Sequence, residues 1–487
     1  LEHSLAAVQP PAGFDGDACA EDALLSRITV QDGRLVLPDG MSYRVLVLPS
    51  RRTMTPQVAQ KIRQLVFDGA TVAGPKPTNS PSLQDYPACD DQVARIGNEI
   101  WGDSDGTKVK KHDYGKGRVY WGLPLKEVLA ECGTEADVVS PELADKSLMW
   151  IHRRTGSADI YLISNQRDSA LKTTVSFRID GRVPEFWHAD TGLIEQTAIW
   201  QPVHGRTVVP MSLDPGGSVF VVFRKPSSGV DPILAIKQDG TRKLPGNLVM
   251  RDGRLVLQST AAGTYRIKTL AGKELTARVD PLPGSMVVKG AWKIHFPAKS
   301  GAPETAELKR LISWTQHADA RVRFFSGTAT YSKQIRVPSS FLAGNRAVIL
   351  DLGQVKNVAS VRLNGKDLGV LWKPPFRLDV TSALKRGKNI LEIKITNLWA
   401  NRLIGDEQEP DDCSWAGVQT FNDSKPPSKV GRPLAKVPQW LLDGTQRPSK
   451  GRVAFTTYKF FNKDSPLLES GLLGPVSLEA MAVQVVE

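Results

Sequence analysis

Two tryptophans and a run of amide, guanidinium and carboxylate side chains form the strongest chemical constellation in the chain: Trp372, Asn397, Trp399, Asn401, Arg402 and Asp406. An indole offers a flat apolar face that suits the C–H face of a sugar ring, and Asn, Arg and Asp supply the donors and acceptors that fix hydroxyls. Asn397, Trp399 and Asn401 have one parity, so a continuing strand would set them on a single face. A second reading makes Trp372 and Trp399 core residues and has Asn401 and Arg402 hold a loop together, because the segment lies where a strand runs into a loop. Both readings stand on the sequence.

Hydrolysis of a glycosidic bond needs two carboxylates facing each other across the scissile bond. Glu185 and Asp190 in PEFWHADTG are one candidate pair, with a hairpin ending in the turn Asp190-Thr191-Gly192 as the preferred reading. Asp15 and Asp17 flank a glycine, where a loop or helix cap is expected. Asp103 and Asp105 with Gly106 resemble the start of a calcium loop, but the closing Glu is missing and a surface turn is expected instead. The phosphate-cradling patterns G-x-G-x-x-G and G-x-x-x-x-G-K-[ST] are absent, as are G-x-S-x-G and H-E-x-x-H. No catalytic residue and no metal ligand is assigned from the sequence.

The bulk properties narrow the class. A chain of 487 residues exceeds a single core, and 41% hydrophobic with 23% charged residues is ordinary for a globular protein. The net charge of +12 comes from scattered Lys and Arg, whose densest cluster is Lys108, Lys110, Lys111 and His112. Nucleic-acid binding needs basic residues gathered on one face, so no nucleic-acid partner is expected. Cys19, Cys89, Cys132 and Cys413 have no C-x-x-C spacing and form no dense disulfide framework. No apolar run reaches the ~20 residues that span a bilayer. Oligomeric state is not legible.

The elements that must position these groups read as several domains, mainly β. Residues 1–132 have α/β texture. YRVLVLP (43–49) is a continuous apolar run expected to be a strand buried on both faces. Thr55 and Pro56 then start a helix with a stripe at Val58, Ile62, Leu65 and Val66, which Gly69 closes before a strand over 70–74. A helix over 91–101 and a strand over 118–121 follow. A helix over 20–28 has no preceding strand, which predicts an N-terminally truncated open sheet of flavodoxin or class I amidotransferase type. A β-sandwich is expected over 137–226, a small β-domain over 230–288 and a jelly roll over 290–487. In the last, Val361 and Leu363 alternate with Arg362 before the type I′ turn signal Asn364-Gly365, and a long excursion loop is expected over 407–450.

Several segments resemble one known family. GTATYSKQIRVP, the stretch from LDLGQVKN to KRGKN, and NLWANRLIGD are similar to the galactose-binding-like, family 2-type sugar-binding domain at the C-terminus of glycoside hydrolase family 106, the α-L-rhamnosidases. MSYRVLVLPSRRTMTPQ, PEFWHADTG, SLDPGGSVFVVF and SPLLESGLLGPVSLE resemble further parts of the same family. That resemblance implies an inverting enzyme with a catalytic (β/α)₈ barrel, calcium in the intact enzyme, a rhamnose-containing glycan as partner, and secretion or periplasmic location. The barrel's ~250 residues have no room here, so the resemblance implies an accessory C-terminal part with no cofactor of its own. A free-standing carbohydrate-binding protein is the alternative.

Overall fold

The structure, a computed structural model, describes residues 8–239, 246–251, 253–417, 419–420 and 430–486. It divides into two compact units, one of residues 1–193 and 200–228, the other of residues 194–199 and 229–487.

The first unit begins with α1 (Glu21–Arg27) and a three-stranded meander over residues 29–43. An open sheet follows, built from β1 (Val45–Val47), β2 (Thr71–Ala73), β3 (Lys111–Tyr114) and β4 (Gly117–Tyr120) in the order β1-β2-β4-β3. β1, β2 and β4 run parallel, and β3 pairs antiparallel. α2 (Pro56–Asp68) starts as its sequence dictates: the Thr55 hydroxyl accepts the Val58 N–H at 3.4 Å, Pro56 fills the first turn, and Gly69 closes the helix at φ 126°. Its stripe Ala59, Ile62, Leu65 and Val66 is buried, as are Val93, Ile96, Ile100 and Trp101 of α3 (Ala88–Trp101). The Trp101 indole N–H donates to the Gly74 carbonyl at 3.0 Å, which ties α3 to the sheet. One expectation fails. The run over 43–49 yields only the three residues of β1, all half-buried, because this strand pairs with β2 alone and forms the edge of the sheet.

Residues 137–193 and 200–226 of the same unit form a two-sheet sandwich. β5 (Leu148–Arg154), β6 (Asp159–Asn165), β8 (Arg182–His188) and β10 (Ser218–Pro226) lie in the order β8-β10-β6-β5. β7 (Leu171–Phe177) and β9 (Arg206–Leu213) pair in the opposite sheet. Tyr161 sits at the centre, edge-on to Phe177 at 4.9 Å and stacked on His152 at 4.0 Å. Its hydroxyl donates to Asp137 at 3.0 Å. His152 bridges Asp137 at 2.7 Å and Asp159 at 3.2 Å, and Arg178 and Arg182 complete the ion pairs.

The second unit is all-β apart from short helices. β11 (Ile233–Gln238), β14 (Gly263–Thr269) and β15 (Glu274–Val279) form one small sheet. β12 (Gly246–Arg251) pairs with β13 (Arg254–Ser259) and with Gln196 and Thr197. A six-stranded sheet holds β16 (Trp292–His295), β17 (Thr305–Leu308), β18 (Thr328–Val337), β20 (Val358–Leu363), β21 (Lys366–Leu371) and β23 (Gly387–Thr396) in the order β17-β16-β18-β23-β20-β21. Opposite it lie β19 (Arg346–Asp351), β22 (Arg377–Asp379) and β24 (Ser477–Val485). One core fills the space between: Trp292, Trp314, Tyr331, Val361, Ile393 and Leu478 are all almost fully buried. Each such side chain contributes roughly 1.5–3 kcal/mol by leaving water. The hairpin from β20 to β21 turns at Asn364 (φ 54°) and Gly365 (φ 82°), the pair of positive angles that a type I′ turn requires. The architecture is therefore multidomain and mainly β, with an α/β sheet first and a galactose-binding-like jelly roll last; no closed barrel occurs among the described residues.

Candidate functional site

β23 ends at Thr396, and after three intervening residues the chain enters a helix, α5 (Ala400–Asp406). The strand does not persist, so Asn397, Trp399 and Asn401 do not share a face. Ala400, Arg402 and Leu403 are good helix formers, and no turn residue intervenes to keep the chain extended.

The polar members of the constellation are buried and bonded to backbone. Asn397 accepts the Gly327 N–H at 2.9 Å and donates to the Phe325 carbonyl at 2.9 Å. Asn401 makes the reciprocal pair with Leu468, at 2.7 Å and 2.8 Å. Asp406 accepts the N–H groups of Val453 and Ala454 at 3.0 Å and 2.7 Å, and Arg402 lies 2.9 Å from its Oδ1. Ser326 Oγ accepts the Arg402 N–H and donates to the Leu398 carbonyl. Buried amides and carboxylates must be paired in this way, so these four residues rivet α5 to three other segments. Gly405 permits the approach, since a Cβ there would lie 2.5 Å from Cβ of Phe324.

The two tryptophans do the opposite. Trp399 is 70% exposed and Trp372 59% exposed, with Leu398 and Val370 exposed beside them in sequence. Leu371 pairs with Ala359, and Val358 pairs with Thr396. Trp372, the next residue after Leu371, thus stands two strands from Thr396, about 10 Å at the usual strand spacing. Trp399 follows Thr396 by three residues, so both indoles occupy the same end of the six-stranded sheet. The structure separates the constellation into a buried clamp and an exposed aromatic edge.

The carboxylate candidates do not make a hydrolytic pair. Glu185 is 1% exposed, with Arg224 and Lys225 each 2.7 Å away and the Trp187 indole N–H donating at 3.1 Å. Burial pushes its carboxyl up, but the bonds from Arg224, Lys225 and Trp187 outweigh that and hold it below the usual range. A carboxylate so held neither donates a proton nor approaches a substrate. Asp190 is exposed on the turn after β8. Asp105 accepts the N–H groups of Thr107, Lys108 and Val109, which hold it down to about 2; it closes a turn. Asp17 accepts the Tyr43 hydroxyl at 2.6 Å, and Asp15 caps the Gly16 N–H. Among the described residues no group of three or more His, Cys, Asp or Glu is placed to hold a metal ion. None of the described helices is long and apolar enough to cross a membrane.

The sequence predicts an excursion loop over 407–450 and a closing strand over 455–461; only Tyr458–Lys459 of the latter is a strand. The described parts of the excursion carry paired charges, with Trp415 and Trp440 packed beside Lys459 and Arg447. The pairings join residues far apart in the sequence, so no local pattern signals them.

Residues 3–201, the α/β sheet and most of the sandwich behind it, match the α-L-rhamnosidase family of glycoside hydrolases. Residues 314–431 match the glycosyl hydrolase 2 galactose-binding domain-like family. A rhamnosidase from Novosphingobium sp. PP1Y has a similar solved structure, with TM-score 0.68 and 29% identity over 98% of this chain and 37% of that one. A protein of Formosa agariphila named "Putative beta-glucuronidase" is 28% identical over 96% of this chain and 53% of its own length. The chain thus spans about half of that relative and less of the solved rhamnosidase. The relatives matched are thus named as glycoside hydrolases.

Proposed function

We propose that this chain is the accessory C-terminal part of an inverting α-L-rhamnosidase acting on rhamnose-containing polysaccharide outside the cytoplasm, and that the Trp372–Trp399 edge touches the glycan. The observation that carries the reading is the α-L-rhamnosidase match over 3–201 in a chain whose candidate carboxylates Glu185, Asp17 and Asp105 are held in structural contacts. Inverting hydrolysis needs a general acid and a general base about 6.5–9.5 Å apart with room for water between them. Glu185, clamped by two cations, does not serve as either. A rhamnose ring is neutral and apolar along its C–H face, and an exposed indole binds such a face without a charged partner.

Hydrolysis of an aryl α-L-rhamnoside tests the reading. The 487-residue chain should be inactive. The same chain joined to the sequence encoded upstream of it should turn over, with β-L-rhamnose as the first product by NMR. Turnover by the chain alone, abolished by a point substitution within it, would sink the accessory role. Saturable glycan binding by a longer protein that hydrolyses nothing would favour a carbohydrate-binding protein instead.

A further inference from the structure

Beyond α5 the chain builds a platform of paired charges. Arg452 Nη1 lies 3.2 Å from Glu407 and its Nη2 2.8 Å from Asp411; Lys459 Nζ lies 2.6 Å from Glu407 and 3.1 Å from Asp411. Arg447 bonds Asp412, and the Arg452 side chain is only 6% exposed. Charges this dehydrated persist only when paired, so the network fixes the backbone around residues 407–412 and 447–459.

On this floor opens a cleft of about 750 Å³, lined among others by Glu409, Asp411, Lys436, Trp440, Lys450 and Gly451. That volume lies in the range of small-ligand sites. Trp440 is braced edge-on against Phe455 at 5.7 Å, with the Arg447 guanidinium 5.5 Å from the ring. The Glu409 carboxylate rests directly against Gly451, where a Cβ would lie 2.3 Å from Glu409 Cδ. Gly451 has no left-handed backbone angle, so it is the carboxylate rather than the chain conformation that requires glycine there. Glu409, Lys436 and Lys450 are exposed, and no ion pair ties them down among the described residues. A held aromatic ring beside free charged donors and acceptors in a concave wall is what recognition of a hydroxylated ring requires.

We propose that this cleft is a saccharide-binding subsite, with a sugar ring set against Trp440 and its hydroxyls bonded by Glu409 and Lys450. It rests on the reading of the chain as glycan-handling and adds a site distinct from the Trp372–Trp399 edge. α5 is about 10 Å long. Trp399 precedes it, and Glu409 follows its end by three residues.

Calorimetric titration of the 487-residue chain with a neutral rhamnan hexasaccharide and with hexagalacturonate, both in 0.5 M NaCl, tests the proposal. Trp440→Ala should weaken at least one probe about tenfold. Glu409→Gln, which keeps the volume, should weaken it several-fold with an unchanged melting temperature. Binding confined to the neutral probe makes hydroxyl recognition sufficient; tighter binding of the acidic one brings in Lys436 and Lys450. Native affinity in Glu409→Gln and in a folded Trp440→Ala overturns the subsite. So does a failure of both probes to bind. Should Trp440→Ala unfold, Lys450→Ala takes its place under the same criterion. Loss of binding in Trp399→Ala alone removes the cleft and leaves the rhamnosidase reading intact, since rhamnoside hydrolysis tests that separately.

Discussion

At the scale of residues, NLWANRLIGD holds two kinds of side chain that the sequence does not separate. Asp406 satisfies two backbone N–H groups and faces Arg402 in a pair whose side chains are 4% and 11% exposed. Truncating one member of a buried pair leaves the other charge stranded, so Asp406→Ala should cost roughly 3 kcal/mol of stability. Trp399 protrudes, so Trp399→Ala should change stability by less than about 0.5 kcal/mol while weakening glycan binding. Urea unfolding of the two variants separates them, and equal losses would make Trp399 part of the core. The residue types were legible as sugar-binding chemistry, but burial was not: Asn397 and Asn401 bond Phe325 and Leu468, partners some seventy residues away that no local pattern reveals. The clamp reading of Asn401 and Arg402 matches what the structure shows, and the placing of Trp372 and Trp399 in the core does not.

At the scale of elements, period and punctuation carried the prediction well. Thr55-Pro56 and Gly69 bound α2 as read, and Asn364-Gly365 turns the hairpin as read. The edge position of β1 and the short α5 escaped, because both depend on which neighbours the rest of the chain provides. The sandwich offers an element-level test through pH. Burial raises the Asp137 carboxyl, but its bond to His152, the charges of His152 and Arg178 and the Tyr161 hydroxyl bring it below the ordinary value; Glu185 is likewise held down. In the unfolded chain these groups titrate near 3.9 and 4.3. Carboxyls depressed by folding stabilise the native state above those values, and that contribution is lost as pH falls through the folded values. Urea midpoints should therefore drop below pH ~4, and Asp137→Asn should flatten that drop while lowering stability at pH 7. An unaltered acid limb in the variant would remove Asp137 from the account.

At the scale of the whole molecule, length announced more than one domain, the strand and turn pattern announced a mainly β architecture, and segment resemblance pointed to the family whose model matches residues 3–201. What composition could not announce is which glycan the chain meets. Its net charge of +12 predicts a diffuse attraction to acidic polysaccharide. The screening length falls from ~10 Å at 0.1 M salt to ~3 Å at 1 M. Retention on immobilised polygalacturonate should therefore collapse across that range, whereas contacts made by an indole face should survive it. Retention indifferent to salt would rule out net charge as its cause.

β24 gives unit two an order of assembly. This strand lies between β13 and β19, pairing Val256–Ser259 on one side and Arg346–Asp351 on the other. Until residues 477–485 emerge from the ribosome, both neighbours expose an open row of backbone donors and acceptors. More than 220 residues of β-chain from β13 onward thus wait for one late segment, a long interval in which nascent sheet edges invite stray pairing and a holding chaperone is of most use.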